Sequence, residues 1–325
     1  MRPYAYTTAD SVTAATAHTA PDSVFLAGGT TLVDLMKLEV LTPRRVIDIN
    51  GLPLTGISFD NNGLRIGALE RMSDVAENPA IRQNYALISQ ALELSASPQL
   101  RNMASMGGNL LQRTRCSYFR DPSMPCNKRE PGTGCSAFQG YNRSHAVLGT
   151  SDACVATHAS DVAVALVSAE ASLELQSSGG ERSVPLEQFY RTPGTTPEVE
   201  NELNAGELIT SITAPAPPAS TRTGYLKVRD RQSYEFALTS VATAITLRGN
   251  VITRARLAAG GVATVPWRLP EVENLLTNRP ATVVTVEAAA AAAASDARSL
   301  SHNGFKPHLL RRAIARALND VLELR

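Results

Sequence analysis

The chain has 325 residues, with 31 Lys and Arg against 30 Asp and Glu, a formal net charge of +1. That balance excludes the basic excess that replaces counterions on nucleic acid, and an aromatic share of 5% offers no platform for stacked bases. At 43% hydrophobic and 19% charged, the composition is globular, with material for about two domains, and it excludes disordered, collagen-like and coiled-coil classes.

The first residues carry Asp10 and no apolar run, so no secretory leader is expected there. Val24–Ala27 reads as a strand and Gly28-Gly29-Thr30 as the turn after it. Leu32, Leu35, Met36 and Leu38 then recur at helical spacing. Arg45–Ile49 and Leu64–Ala68 read as strands, and Ala86–Leu94 as a helix. A second glycine turn, Gly107-Gly108-Asn109, follows Arg101-Asn102. Residues 112–155 collect Pro122, Pro125, Pro131, Gly132, Gly134 and Gly140 and read as a loop. A loop of that length is uncommon in a compact domain unless it has a function. A helix begins at Asp161, capped by Ser160 or by Asp161 itself.

Ser172–Gln176 and Glu207–Ile212 read as strands, and the proline-rich Ala214–Pro218 as a linker dividing 1–218 from 219–325. Beyond it we expect a strand at Gly224–Arg229, a helix from about Phe236, and strands at Ala242–Leu247 and Val251–Leu257. The pair Gly260-Gly261 follows, then the helix-forming alanine run Ala288–Ala294 and a helical tail to Leu324. No apolar run approaches the ~20 residues of a membrane span. The best, Val162–Val167, is bounded by Asp161 and Glu170.

All four cysteines, Cys116, Cys126, Cys135 and Cys154, fall in the long loop, spaced C-x9-C-x8-C-x18-C. Such bunching suits a shared ligand. Structural zinc usually shows a close cysteine pair, and none is present. An iron–sulfur cluster needs four thiolates without that pair. Two disulfides, or incidental thiols in a solvated basic loop, are the alternatives. Arg113, Arg115, Arg120, Lys128, Arg129 and Arg143 outnumber Asp121, Glu130 and Asp152 here, an excess that would stabilise an anionic four-thiolate cluster. The glycine turns have a chemistry of their own. Successive backbone N–H groups opening onto a helix start make a nest for phosphate oxygens, although a plain turn is the commoner reading of one G-G-T. No nucleophile triad, zincin pair or carboxylate dyad is apparent.

Ala27-Gly28-Gly29-Thr30, Arg101-Asn102 with Gly107-Gly108-Asn109-Leu110, Thr157-His158-Ala159-Ser160-Asp161, and Lys227-Val228-Arg229-Asp230-Arg231 with Phe236-Ala237 occur in that order. Together they resemble the FAD-binding subunit of the molybdenum hydroxylases, the xanthine dehydrogenase and aldehyde oxidoreductase family, over essentially the whole chain. The cysteine loop, with Leu110–Cys116 and Pro125–Arg129 around it, resembles that of the bacterial periplasmic aldehyde oxidoreductases. A comparable insertion occurs in 4-hydroxybenzoyl-CoA reductase. Ala159 departs from the family's T-H-P-S-D.

The resemblance implies an α+β fold: a two-part α/β FAD-binding domain of the vanillyl-alcohol-oxidase (PCMH-like) kind, then an α+β C-terminal domain of the CO-dehydrogenase flavoprotein type. It implies that Leu26, Ala27, Gly28, Gly29, Thr30, Thr31 and Leu32 wrap the FAD pyrophosphate, with Ser105, Gly108 and Asn109 continuing the contact and Arg115 among the cofactor residues. Asp161 would bind ribityl or ribose hydroxyls, Ile209 would pack near the flavin, and Lys227 would approach the isoalloxazine. Cys116, Cys126, Cys135 and Cys154 would hold one [4Fe–4S] cluster. The residues alone also allow Asp161 as a mere helix cap, His158 as a satisfied loop residue, and Lys227, Arg229 and Arg231 as a solvated strand face.

The implied function is electron transfer in a heterotrimeric aldehyde oxidoreductase, aldehyde to carboxylic acid. A small [2Fe–2S] subunit would deliver electrons from a large molybdenum-cofactor subunit, and an external acceptor would remove them. Alternatives are a 4-hydroxybenzoyl-CoA-reductase-like subunit with reversed flow, or a zinc-stapled docking protein without flavin. The resemblance further implies a periplasmic location by co-export with a signal-bearing partner, or the cytoplasm if the partner lacks a signal.

Overall fold

The computed structural model describes every residue except 18, 21 and 325. Near the N-terminus β1 (Ala5–Thr8), β2 (Ser23–Leu26) and β3 (Arg45–Asp48) form a parallel sheet in the order β1-β3-β2. Parallel neighbours need crossovers, and the helices Val12–Ala17 and Leu32–Lys37 supply them. Ala15, Ile47, Leu52, Leu54 and Leu69 close a small core beneath this sheet.

The second sheet contains β4 (Ile57–Asp60), β5 (Gly63–Gly67), β6 (Ser172–Ser177), β7 (Gly180–Pro185) and β8 (Leu208–Ala214). It is antiparallel in the order β4-β5-β8-β6-β7. In β6, buried Leu173 and Leu175 alternate with half-exposed Ser172, Glu174 and Gln176, the period of a strand with one face covered. The cover is helical: Met72–Glu77, Pro79–Asn84, Ala86–Glu93 and Asp161–Ser168 pack around a core that includes Ile66, Ile88, Leu166 and Ile212.

The third sheet holds β9 (Thr221–Val228), β10 (Thr239–Arg248), β11 (Val251–Gly260), β12 (Trp267–Arg268) and β13 (Arg279–Pro280), in the order β12-β11-β10-β9 with β13 on β11. Helix Lys306–Leu322 lies on it through Leu310, Ile314, Leu318 and Leu322, four buried residues at i, i+4 spacing. Helix Asp161–Ser168 is buried at every position, and a helix apolar on all sides needs cover on all sides. It has that cover because β10 and β11 pack on it opposite the second core.

The helix expected from about Phe236 does not form. Residues 229–238 are irregular, Tyr234 is left-handed at φ 54°, and β10 begins at Thr239. Thr239, Val241, Thr243 and Ile245 alternate, and pairing on both edges with β9 and β11 outweighs the helical spacing. The Gly107-Gly108 turn is also different. It lies inside a short helix, Met106–Leu110, capped by Ser105. The proline-rich stretch joins β8 to β9.

Between helices Met106–Leu110 and Asp161–Ser168 the described chain is irregular apart from one helical turn, Ser117–Arg120, and the bridges Cys126–Cys135, Ser151–Cys154 and Leu148–Ala263, the last to the third sheet's side of the fold. Internal bonds brace it. The Asn127 Oδ1 accepts from the Gly134 N–H at 2.7 Å, and its Nδ2 donates to the Ala153 carbonyl at 3.1 Å. Arg129 donates to the carbonyls of Tyr118 and Phe119 at 2.9 and 2.8 Å. Fully buried Lys306 ties this segment to the third sheet. Its Nζ donates to the Ser144 carbonyl at 2.8 Å and the Gly261 carbonyl at 2.6 Å.

Candidate functional site

A cavity of about 670 Å³ opens where the three parts of the fold meet. Thr30, Thr31 and Asp34 come from the first sheet's glycine turn and helix. Asn109, Ser160 and Asp161 come from two helix starts, and residues 230–238 with Gly260 and Gly261 from the third sheet. Arg115, Cys116, Arg120, Ser144 and His145 come from the cysteine segment. The volume lies in the range of cofactor and ligand sites, ~300–1,000 Å³.

The first glycine turn presents open donors. Among the described residues, no acceptor receives the N–H groups of Gly28, Gly29, Thr30 or Thr31, and no side chain caps the helix that follows. Unpaired N–H groups at a helix start attract anionic oxygen. Glycine is required at two places. Gly29 is left-handed at φ 72°, and a Cβ on Gly28 would stand 2.0 Å from the Met103 carbonyl oxygen. Leu26 ends β2, Ala27 leads into the turn, and Leu32 opens the helix; these three, like Gly28 and Gly29, do not border the cavity, which Thr30 and Thr31 reach.

The second turn is closed. The Gly107 N–H donates to the Ala68 carbonyl, the Gly108 N–H to the Ser105 Oγ, and the Asn109 N–H to the Ser105 carbonyl. Ser105 and Gly108 are spent on capping, so only Asn109 reaches the cavity. Its Oδ1 accepts from the Ser160 Oγ at 2.5 Å.

Asp161 borders the cavity at 7% exposure, and its carboxylate is already held. It accepts from the Tyr225 hydroxyl at 2.8 Å, the Lys227 Nζ at 2.8 Å and the Ser95 Oγ at 3.3 Å. Tyr225 and Lys227 sit two apart on β9, so the pleat aims both at Asp161. Burial, with the Asp161 charge beside it, holds the Tyr225 hydroxyl protonated far above its ordinary range. Lys227 has no exposed side-chain surface and also donates to the Leu94 carbonyl at 3.0 Å. It stands behind Asp161 and does not border the cavity, so a solvated strand face does not describe it. Ile209 lies in β8 within the second core, away from the cavity wall. Ser160, not Asp161, caps the helix, accepting from the Ala163 N–H at 3.0 Å.

The cationic excess of the cysteine segment is largely spent on acids outside it. Arg120 and Arg115 pair with Asp34 at 2.8 and 3.4 Å, and the Arg120 hydrogen bond holds that carboxyl below its ordinary range. Arg113 and Lys128 pair with Glu200, and Arg143 with Asp230 at 2.7 Å. Arg115 keeps one group free. Its Nε is buried without a partner among the described residues, on a guanidinium that borders the cavity over the Phe236 ring.

The four cysteines are free thiols. Burial pushes Cys116 up to about 12, with the neighbouring Cys126 and Cys154 adding to it; burial also raises Cys135 and Cys154. The Cys154 Sγ accepts from the Ala156 N–H at 3.5 Å; nearby backbone N–H groups of Phe119 and Tyr118 partly offset the rise at Cys116, and those of Ala137, Val155 and Phe138 the rise at Cys135. Donors aimed at sulfur suit thiolates, and a metal removes the thiol proton outright. Among the described residues no three His, Cys, Asp or Glu side chains form a ready metal cage, so the quartet is a set of neighbouring thiols.

Sequence reasoning missed His145 and the wall formed by 230–238. It also passed over the burial of His158, whose imidazole meets Tyr190 edge-on at 4.6 Å and is pushed down to about 4 by burial. His158, Asp230, Arg231, Phe236 and Ala237 stand in the motifs quoted above, whereas nothing marks His145, and all of them meet only in the folded chain.

Two family models cover the chain: the FAD binding domain in molybdopterin dehydrogenase over residues 2–217, and the CO dehydrogenase flavoprotein C-terminal domain over residues 224–321. The chain is 47% identical to the aldehyde oxidoreductase FAD-binding subunit PaoB of Escherichia coli, over 95% of this chain and 94% of that one. It is 33% identical to the glyceraldehyde dehydrogenase medium chain of Sulfolobus acidocaldarius, over 77% of this chain and 71% of that one. Among solved structures, a carbon monoxide dehydrogenase from Hydrogenophaga pseudoflava superposes with a TM-score of 0.78 at 25% identity, covering 99% of this chain and 98% of that one.

Proposed function

This chain belongs to the family of FAD-binding subunits of the molybdopterin dehydrogenases, and we propose that it is the electron-transfer flavoprotein of a molybdenum-dependent aldehyde oxidoreductase. The complex would convert an aldehyde to a carboxylic acid, and this chain would carry the oxidative half-reaction. The similarity to two aldehyde-oxidising relatives supports the substrate class. The observation that carries the cofactor site is the row of unpaired N–H groups at Gly28–Thr31, whose last two residues, Thr30 and Thr31, border a cofactor-sized cavity.

FAD, when bound, supplies the conversion between single-electron and paired-electron transfer. The chain's own residues bind and orient it. The amides of Gly28, Gly29, Thr30 and Thr31 and the free Nε of Arg115 fit a pyrophosphate. Asn109 and Asp161 offer polar contacts to hydroxyl groups. A carboxylate has about four acceptor sites, so Asp161 keeps one beyond its three protein donors. Lys227 acts through Asp161, fixing the carboxylate and balancing its charge.

We assign Cys116, Cys126, Cys135 and Cys154 to one [4Fe–4S] cluster. Four neighbouring free thiols, with the Cys154 Sγ accepting a backbone N–H, support that reading. A small [2Fe–2S] subunit and a large molybdenum subunit complete the proposed heterotrimer, with an external acceptor taking the electrons. We place the complex in the periplasm, exported with a signal-bearing partner; cell fractionation tests that. For the ligand set, Cys116→Ser in the purified complex is expected to lose iron and keep its flavin. Full iron content in that variant contradicts the assignment.

A further inference from the structure

His145 has no role in the site as described, yet its position is specific. The ring is buried at 3% exposure, and Nε2 lies 3.2 Å from the Cys116 Sγ. Nδ1 is buried with no hydrogen-bond partner among the described residues. A neutral imidazole carries one N–H. A proton on Nδ1 would leave a buried donor unmade, whereas a proton on Nε2 points at a sulfur.

The main chain that carries the ring is held on both sides. The His145 N–H donates to the Asn142 carbonyl at 3.1 Å, and the His145 carbonyl accepts from the Asn303 Nδ2 at 3.3 Å. The Tyr118 ring lies 6.1 Å away, centroid to centroid. Cys116 and His145 both border the large cavity, and the other three cysteines do not. Among the described residues Cys116 is also the one cysteine whose sulfur meets a side-chain nitrogen, whereas the Cys154 Sγ accepts from a backbone N–H.

We propose that His145 is a positioning residue that tunes the cysteine site, its Nε2–H donating to the Cys116 sulfur on the face turned toward the flavin cavity. This rests on the assignment of the four cysteines to an iron–sulfur cluster. A hydrogen bond to a ligand sulfur favours the reduced, more negative form and so raises the reduction potential. One electron enters, no bond is made or broken, and the proton stays on Nε2.

The test is a dithionite titration of the purified holo-complex, followed by electron paramagnetic resonance, for the wild type, His145→Phe and His145→Gln. In His145→Phe the cluster is expected to become harder to reduce by on the order of tenfold, about 59 mV for a one-electron couple. Iron and flavin contents stay unchanged, and His145→Gln, which keeps a donor, recovers most of the shift. An unchanged cluster potential in His145→Phe with full iron overturns the proposal. A measurement without variants covers a failure to fold: wild-type complex labelled with ¹⁵N-histidine is expected to show one nitrogen coupled to the reduced cluster in pulsed spectra. Absence of that coupling also overturns it. Wild-type complex without iron overturns the cluster assignment instead, and this inference with it.

Discussion

One methyl group probes the Gly28-Gly29 turn. In Gly28→Ala the new Cβ meets the Met103 carbonyl oxygen, and the two backbones must part. We expect a stability loss of about 1–3 kcal/mol, as for other overpacked sites, and a clear fall in bound flavin per chain. Full flavin occupancy in that variant would detach the turn from the cofactor. Lys227 gives a second residue-level prediction. Lys227→Met leaves the Asp161 carboxylate buried with neutral donors alone, a loss of about 3–5 kcal/mol by denaturant unfolding. Restoring neutrality in Lys227→Met with Asp161→Asn should recover part of it. The sequence marked both residues through the motifs that hold them, but not their pairing. Tyr225 and Lys227 stand 64 and 66 residues from Asp161 in the chain and meet it only because helix Asp161–Ser168 lies across the third sheet.

At the scale of elements, legibility followed locality. The alternation in β6 and the helix Ala86–Glu93 were readable because each buries one face with a regular period, and β2 because its apolar run is short and closed by a glycine pair. The residues 229–238 were not, because apolar spacing at Phe236 cannot report that β10 is paired on both edges. The second glycine pair misled for a related reason. Ser105 caps the helix and consumes the N–H groups that a bare turn would offer a ligand. The junction of β7 and β8 carries a prediction of its own. The Arg182 guanidinium grips the Glu207 carboxylate through Nε and a terminal nitrogen, both at 2.6 Å, and pulls it down to about 2 from an ordinary 4.5. Because the folded value is the lower one, this pair stabilises the fold above pH ~4.5 and the contribution fades as pH falls toward 2. Arg182→Met should flatten that part of the stability profile, as measured by urea unfolding at stepped pH. An unchanged slope would show that other carboxylates dominate it.

For the whole molecule, the site belongs to no single unit. The glycine turn comes from the first sheet and Asp161 from the helix between the second and third. The 230–238 wall comes from the third sheet, and Arg115, Cys116 and His145 from the cysteine segment that Lys306 anchors to the third sheet. That shared construction is why the chain's motifs are scattered while the chemistry is in one place, and why a flavin and a thiolate-held cluster would be neighbours. The most direct test is an ultraviolet–visible spectrum of anaerobically purified protein, with iron, acid-labile sulfide and zinc assayed on the same sample. The account predicts flavin bands near ~450 nm on a broad ~400 nm shoulder, with about four irons and four sulfides per chain. A colourless protein holding zinc would contradict it.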